Sequence, residues 1–417
     1  MGLINRVNEF FASNTNVQAT NDTIASNELE NAIKDLSGRY RLGQTNQGQY
    51  IKFGVQDDFP VMLDKMLRQS PVHAGILTKK AKMVVGTDVA YNDSFLPNKK
   101  SKAELKVFVQ NCAGANKGLY SVLTHSAFQY EKSGAYAMYV RWSKDRTKIL
   151  ELSSLDLKGV RAAEPNEKGD ITHFIVRRMF GQGADAMQHN EPRRVPAFNK
   201  WDKKQTEAVL YVQNPFSGNE YYGVPNYISA FHYISADFAF GKHIKNSAEN
   251  GFTPKVMATF VGRNMSPEQK AKEYAAFKNS FTGTDGEQAM LAWVKRPEDK
   301  PTIESLDISN LDKTVDVLSR LNDAKILTAH NVTSPTLFGV MVSGKLGGTG
   351  NEMVAAYQIF RATETLPNRE TLFSGVQRLL DTVGLGEMEL EVIEEVINLE
   401  SIKGANPTDV APAKDEE

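Results

Sequence analysis

The residues able to do chemistry in this chain are few and widely spaced. Seven histidines stand at positions 73, 125, 173, 189, 232, 243 and 330, and Cys112 is the one cysteine. No His-Glu-x-x-His occurs, and no Cys/His group has the spacing of a zinc site, so no metal and no cofactor is expected. His232 and His243 lie about three turns apart on one expected helix. They share a face but cannot ligate one ion, and a core or interface role fits them better. Cys112 has nothing nearby that would activate a thiol and reads as a small core residue. With one cysteine there is no disulfide within the chain, which suits a reducing compartment.

The most unusual segment is Asn331–Glu352, which contains Gly339, Gly344, Gly347, Gly348 and Gly350, with Pro335 ahead of the run. That density of breakers excludes a regular helix or strand. A phosphate-binding loop would carry its Lys and Ser/Thr after the glycines, at the start of the following helix. Here Lys345 precedes most of the glycines, and Glu352, at the helix start, would repel a phosphate. Nucleotide binding is therefore disfavoured, and no catalytic constellation emerges elsewhere. Val340, Met341, Val342, Lys345 and Leu346 are instead the residues of a long loop that moves against something passing it, with Lys345 able to meet a phosphate without reading a base.

The elements around this loop follow from pattern. Residues 1–45 are rich in Asn, Ser, Thr and Gln, with Leu3, Ile4, Val7, Phe10 and Phe11 able to form one apolar face near the start, and residues 1–54 read as an arm. Helical spacing begins at Asp57. Ser70 caps a second helix with Pro71 at its first position, and Gly86 ends it. Further helices are expected over 102–110 and 119–131. From Gly134 the character changes. Ala135–Trp142, Ile149–Leu157, Ile171–Phe180 and Ala208–Val212 favour strands of an antiparallel meander. A long helix is expected from Pro225 to Asn250, apolar over most of its circumference, which calls for neighbours all round.

Residues 251–308 read as a compact strand–helix–strand unit. Its strands are Lys255–Phe260 and Ala289–Val294, and a capping box at Ser266–Gln269 is worth about 1 kcal/mol to the helix start. Strands so poorly covered are expected to pair between subunits, with Val256, Phe260, Met290 and Trp293 at that interface. Helices then follow over 311–330, 352–364 and 368–383, and a short acidic helix over 387–399.

Composition restricts the classes further. The 417-residue chain has a net charge of −1, with no global basic signal for nucleic acid. From Glu387 onward ten acids face two lysines, a local charge of −8 that leaves +7 on the rest. No signal peptide is read at the N-terminus, and no apolar run approaches the roughly 20 residues needed to span a bilayer.

Several strings, in this order, resemble the portal proteins of tailed bacteriophages. They are Ser70-Pro71-Val72-His73-Ala74-Gly75-Ile76 leading to Val84-Val85-Gly86, then Tyr130-Glu131-Lys132-Ser133-Gly134-Ala135-Tyr136. Next come Tyr222-Gly223-Val224-Pro225, a long helix to Glu249-Asn250-Gly251-Phe252-Thr253-Pro254, and Asn322 to Val332 with Pro335 and Leu337-Phe338-Gly339. The resemblance spans about residues 55–385. It implies an α+β portal fold with wing (55–224 and 353–368), stem helices (225–250, 309–331), clip (251–308), tunnel loop (332–352), short helical crown (369–400) and acidic tail (401–417). It further implies a homo-oligomeric ring, typically a dodecamer, at one capsid vertex. Double-stranded DNA would pass through it, and terminase large subunit, major capsid protein and a neck or adaptor protein would dock on it. Its place would be the virion, and the host cytoplasm during assembly, with no membrane contact. Two other classes compete: another phage head component or interaction scaffold with the same helical logic, and a nucleotide-binding enzyme using the glycine-rich loop.

Overall fold

The computed structural model describes residues 41–394, apart from 55, 115–116, 182–187, 216–219, 251–255, 262–265, 267, 270–271, 273–288, 295–310 and 340–349. Two compact units emerge, residues 1–232 with 326–417, and residues 233–325. The first is therefore assembled from both ends of the chain and the second is inserted in it.

The first unit opens with a hairpin, β1 (Leu42–Thr45) and β2 (Gly48–Ile51). Tyr50, Ile51 and Phe53 are buried, so this part of the expected arm belongs to the body. Asp57 explains why the chain turns here. Its carboxylate accepts from Phe53 N, Tyr50 Oη and the fully buried Arg161, and Arg161 also donates to the carbonyls of Leu157 and Val160. A buried guanidinium with every partner in place is stable where an unpaired one would not be.

Helices α1 (Phe59–Gln69) and α2 (Pro71–Val85) follow. Ser70 caps α2 by accepting from His73 N, Pro71 opens it and Gly86 closes it at φ 71°, as its sequence predicts. After β3 (Asp88–Tyr91) and α3 (Lys99–Asn111), helix α4 (Leu119–Ser133) ends at Gly134 in the left-handed region, φ 67°. A Cβ at Gly134 would strike the Val224 carbonyl, so both conformation and space demand glycine.

The expected meander is two sheets instead of one. Strands β4 (Ala135–Trp142), β5 (Ile149–Leu155) and β9 (Glu207–Gln213) form an antiparallel sheet in the order β5-β4-β9. Strands β6 (Val160–Ala162), β7 (His173–Val176) and β8 (Arg193–Pro196) form a second antiparallel sheet. β4 is buried on both faces from Ala135 to Val140, which explains its continuous apolar run. Tyr136, Met138, Val140 and Trp142 share a core with Leu119, Val122 and Leu123 of α4 and with Cys112. Cys112 is thus a core residue, and burial pushes its thiol up to about 12.

The long helix expected from Pro225 starts as a 3-10 turn over Asn226–Ala230, where Tyr227 leaves helical geometry. The α-helix proper, α5, runs Phe231–Asn250 and leads into the second unit. There β10 (Val256–Val261) and β11 (Ala289–Val294) pair with each other in parallel within one chain, where pairing between subunits was expected, with Phe260 opposite Trp293 and Met257 opposite Met290. A parallel pair requires a crossover, as a strand–helix–strand unit provides. The capping box forms as read: Ser266 N donates to Gln269 Oε1 at 3.0 Å, and Gln269 N to Ser266 Oγ at 3.3 Å. Helix α6 (Leu311–Ala329) leads back to the first unit.

Helix α7 (Gly350–Phe360), a π-helical turn over Arg361–Thr365 and helix α8 (Leu366–Leu380) then form one uninterrupted helical run. Leu372, Val376, Leu379 and Leu380 enter the core beneath β4, so the segment assigned to a crown packs within the first unit. The acidic helix expected over 387–399 is absent among the described residues. Leu390–Ile393 is a strand, β12, antiparallel to β3. Glu391 and Ile393 alternate with Leu390 and Val392 in exposure, the two-residue period of a strand.

Candidate functional site: the anchorage of the glycine-rich loop

Residues 340–349 lie outside the described residues, and with them the expected Val340, Met341, Val342, Lys345 and Leu346. The structure does define both legs of that loop.

The leading leg begins where α6 stops. Val332 N donates to Leu327 O and Asn331 N to Thr328 O, the paired bonds of a Schellman cap. Asn331 takes the left-handed position with φ 57°, where glycine is the commoner choice. Its side chain explains the exception, since Nδ2 donates to Glu364 Oε1 at 3.0 Å. Thr333 Oγ1 donates to Ala356 O of α7 at 2.8 Å. A 3-10 turn over Pro335–Phe338 ends at Gly339, φ 77°, beside Lys79 of α2. Phe338 packs edge-on against Phe360, with ring centroids 5.3 Å apart. The trailing leg is α7 itself, so Phe360 and Ala356 tie the two legs together.

Beneath this lies a buried ionic cluster. Lys80 of α2 is 4 % exposed and bridges Glu131 of α4 at 3.1 Å and Glu364 of the π turn at 3.0 Å. Burial alone would lower its ammonium, but the two carboxylates outweigh it and hold Lys80 above its ordinary range. Asn368 Nδ2 donates to Glu131 at 2.7 Å. Nearby, Arg369 donates to the carbonyls of Met83 and Val84, filling the free acceptors at the end of α2, and pairs with Glu394 at 2.6 Å.

Two histidines meet at the same place. His73 Nδ1 and His330 Nε2 are 2.9 Å apart, and Tyr227 stacks on His330 and meets His73 edge-on, each at 4.6 Å. Tyr227 Oη donates to Lys132 O. Burial pushes His73 down to about 3 and, with His73 and Lys80 adding to it, drives His330 well below its usual range. A 2.9 Å contact between two imidazoles needs a lone pair on one and an N–H on the other, so at least one ring is neutral, and burial disfavours charge on both. Sequence reading treated the histidines as scattered. The meeting of two residues 257 positions apart leaves no local signal, although the string around each belongs to the family-like motifs.

Of the other expected site residues, Val256, Phe260, Met290 and Trp293 are placed by backbone register only, and their side chains lie outside the described residues. No group of three or more His, Cys, Asp or Glu able to hold a metal occurs among the described residues. None of the described helices is long and apolar enough to cross a membrane.

No family model and no curated protein matches the sequence. Solved structures do. A chain in the virion of a native gene transfer agent particle superposes with a TM-score of 0.53 at 14 % identity, over 90 % of this chain and 92 % of that one. A chain from the neck of the native particle, computed with C12 symmetry, gives 0.53 at 14 % identity, over 89 % and 91 %. An HK97 family phage portal protein from Corynebacterium diphtheriae covers 83 % of this chain and 97 % of its own, at 10 % identity and a TM-score of 0.45, too distant to carry an inference. At such identities the likeness establishes the fold. The α+β class expected from the portal resemblance is borne out at that level.

Proposed function

We propose that the chain is the subunit of a portal ring, a structural component of a phage or phage-derived particle and not an enzyme. The observation that carries this reading is apolar surface left bare on two helices of the second unit. Tyr233, Phe238 and Ile244 of α5 and Val317, Leu318 and Leu321 of α6 are exposed, from 39 % at Phe238 to 62 % at Val317. Large apolar side chains left exposed along two helices suit an interface, and identical copies around a closed ring would cover them on every subunit. The shared fold with a neck chain of C12 symmetry supports a twelve-membered ring.

In this reading α5 and α6 are the stem, residues 251–308 the clip, and residues 332–352 the loop that faces double-stranded DNA, with Lys345 as a phosphate contact and Val340, Met341, Val342 and Leu346 meeting neighbouring loops. Terminase large subunit and later a neck protein dock on the clip, through a surface that includes Val256, Phe260, Met290 and Trp293. The major capsid protein surrounds the wing at one vertex of the virion. The ring assembles in the host cytoplasm. Light scattering and negative-stain imaging of the purified protein test the proposal. A closed ring with a central channel is expected, whereas a mass of one 46.3 kDa chain at micromolar concentration and moderate salt counts against it.

A further inference from the structure

The loop's leading leg is held by one carboxylate that the buried core holds as well. We infer that Glu364 is a positioning residue, a latch that ties Asn331 to the buried Lys80 and so sets where the chain departs towards residues 340–349. Its meaning for DNA passage rests on the portal reading above. The geometry is specific. Glu364 uses its two oxygens separately, Oε2 on Lys80 at 3.0 Å and Oε1 on Asn331 at 3.0 Å. Lys80 is in turn held by Glu131, which Asn368 holds from the far side. A continuous polar chain thus runs from α4 through α2 and the π turn to Asn331, the second residue beyond α6.

The π turn explains how Glu364 reaches both partners. An extra residue in a helical turn shifts the following side chains around the axis, and such turns concentrate at functional positions. Thr363 Oγ1 donates to Ile359 O within the same stretch, so the widened turn is tied internally. Asn331 supplies the second, independent indication. Its backbone needs a left-handed conformation that glycine adopts at no steric cost. Asparagine tolerates that position better than most other side chains, and here its side chain lies on Glu364.

Two substitutions separate the latch from mere stability. Glu364→Gln leaves one acceptor oxygen where there were two, so the side chain satisfies Lys80 or Asn331 but not both. Asn331→Gly keeps, or eases, the left-handed cap and removes only the link to Glu364. Glu131→Gln is the control, since it takes the same charge from Lys80 without touching Asn331. The readout is trypsin cleavage after Lys345, the one trypsin site between Val332 and Glu352, followed by mass spectrometry on the full-length chain. Glu364→Gln and Asn331→Gly are expected to change the cleavage rate at Lys345 several-fold. Glu131→Gln is expected to lower the melting temperature and leave that rate at the wild-type value. A wild-type rate in Asn331→Gly, or an equal change in Glu131→Gln, overturns the latch. No DNA and no ring enters the assay, so a failed portal reading and a failed latch are told apart.

Discussion

His73 and His330 make stability fall with falling pH, and burial lowers His125 and His173 in the same direction. His73 and His330 are both held below their ordinary range in the folded chain, so the unfolded chain takes up protons first as pH falls. The contribution of His73 is complete above about 6.5 and is lost as pH falls from there towards about 3, and that of His330 is lost in the same direction. Within that window His73 costs about 1.4 kcal/mol per pH unit. The urea midpoint is therefore expected to drop between pH 7 and pH 5, before most carboxylates titrate. The double variant His73→Gln/His330→Gln should show a flatter profile there; an unchanged slope would mean the pair is not what titrates. At this scale the sequence was unevenly legible. Cys112 was readable as core because nothing near it activates a thiol. The histidine pair and the triad of Lys80, Glu131 and Glu364 were not, because charge in sequence reads as surface and burial is decided by chain segments far away.

Elements whose signals are local were read correctly. Ser70-Pro71, Gly86 and the box at Ser266–Gln269 are contacts within a few residues, and each forms as the residue types require. Elements decided by a distant partner were missed or misread. β12 looks helical because it is rich in glutamate, and it is a strand because β3, some three hundred positions earlier, offers it an edge, as the Thr87 bond to Ile393 shows. β1 and β2 were hidden in a polar segment for the same reason. The helical run through α7 has a testable anchor in Phe360, which is fully buried against Phe338 with Lys80 5.9 Å from its ring centroid. Phe360→Ala should destabilise the first unit by about 3–5 kcal/mol. Thermal unfolding followed by near-ultraviolet dichroism would show it, and a melting temperature within a degree of wild type would refute it.

For the whole molecule the sharpest test concerns surface instead of core. Leu321 of α6 is 54 % exposed, so Leu321→Glu removes little packing within the chain. The variant is expected to fold with the wild-type melting temperature of its single chains and to fail at ring formation, because a charge on a buried apolar interface lacks a partner. Normal rings in sedimentation velocity would refute that use of α6. The α+β class was legible because helical and strand periods are clean in the segments that matter. Which sheets the strands join was not, since pairing depends on register and partner, not on the strand's own residues.

The two-ended make-up of the first unit bears on how the chain is born. Trp142 Nε1 donates to Thr382 Oγ1 across 240 positions, and β4 lies under a helix that the ribosome has not yet made when β4 emerges. At typical bacterial and eukaryotic rates of about 5–20 residues per second, that strand waits roughly ten seconds to a minute for its cover. Throughout that interval Tyr136, Met138 and Val140 have no roof from Leu372, Val376 and Leu379. Nascent chains stalled before α8 should therefore be the species that chaperones hold, and messages truncated there should yield inclusion bodies rather than a soluble half.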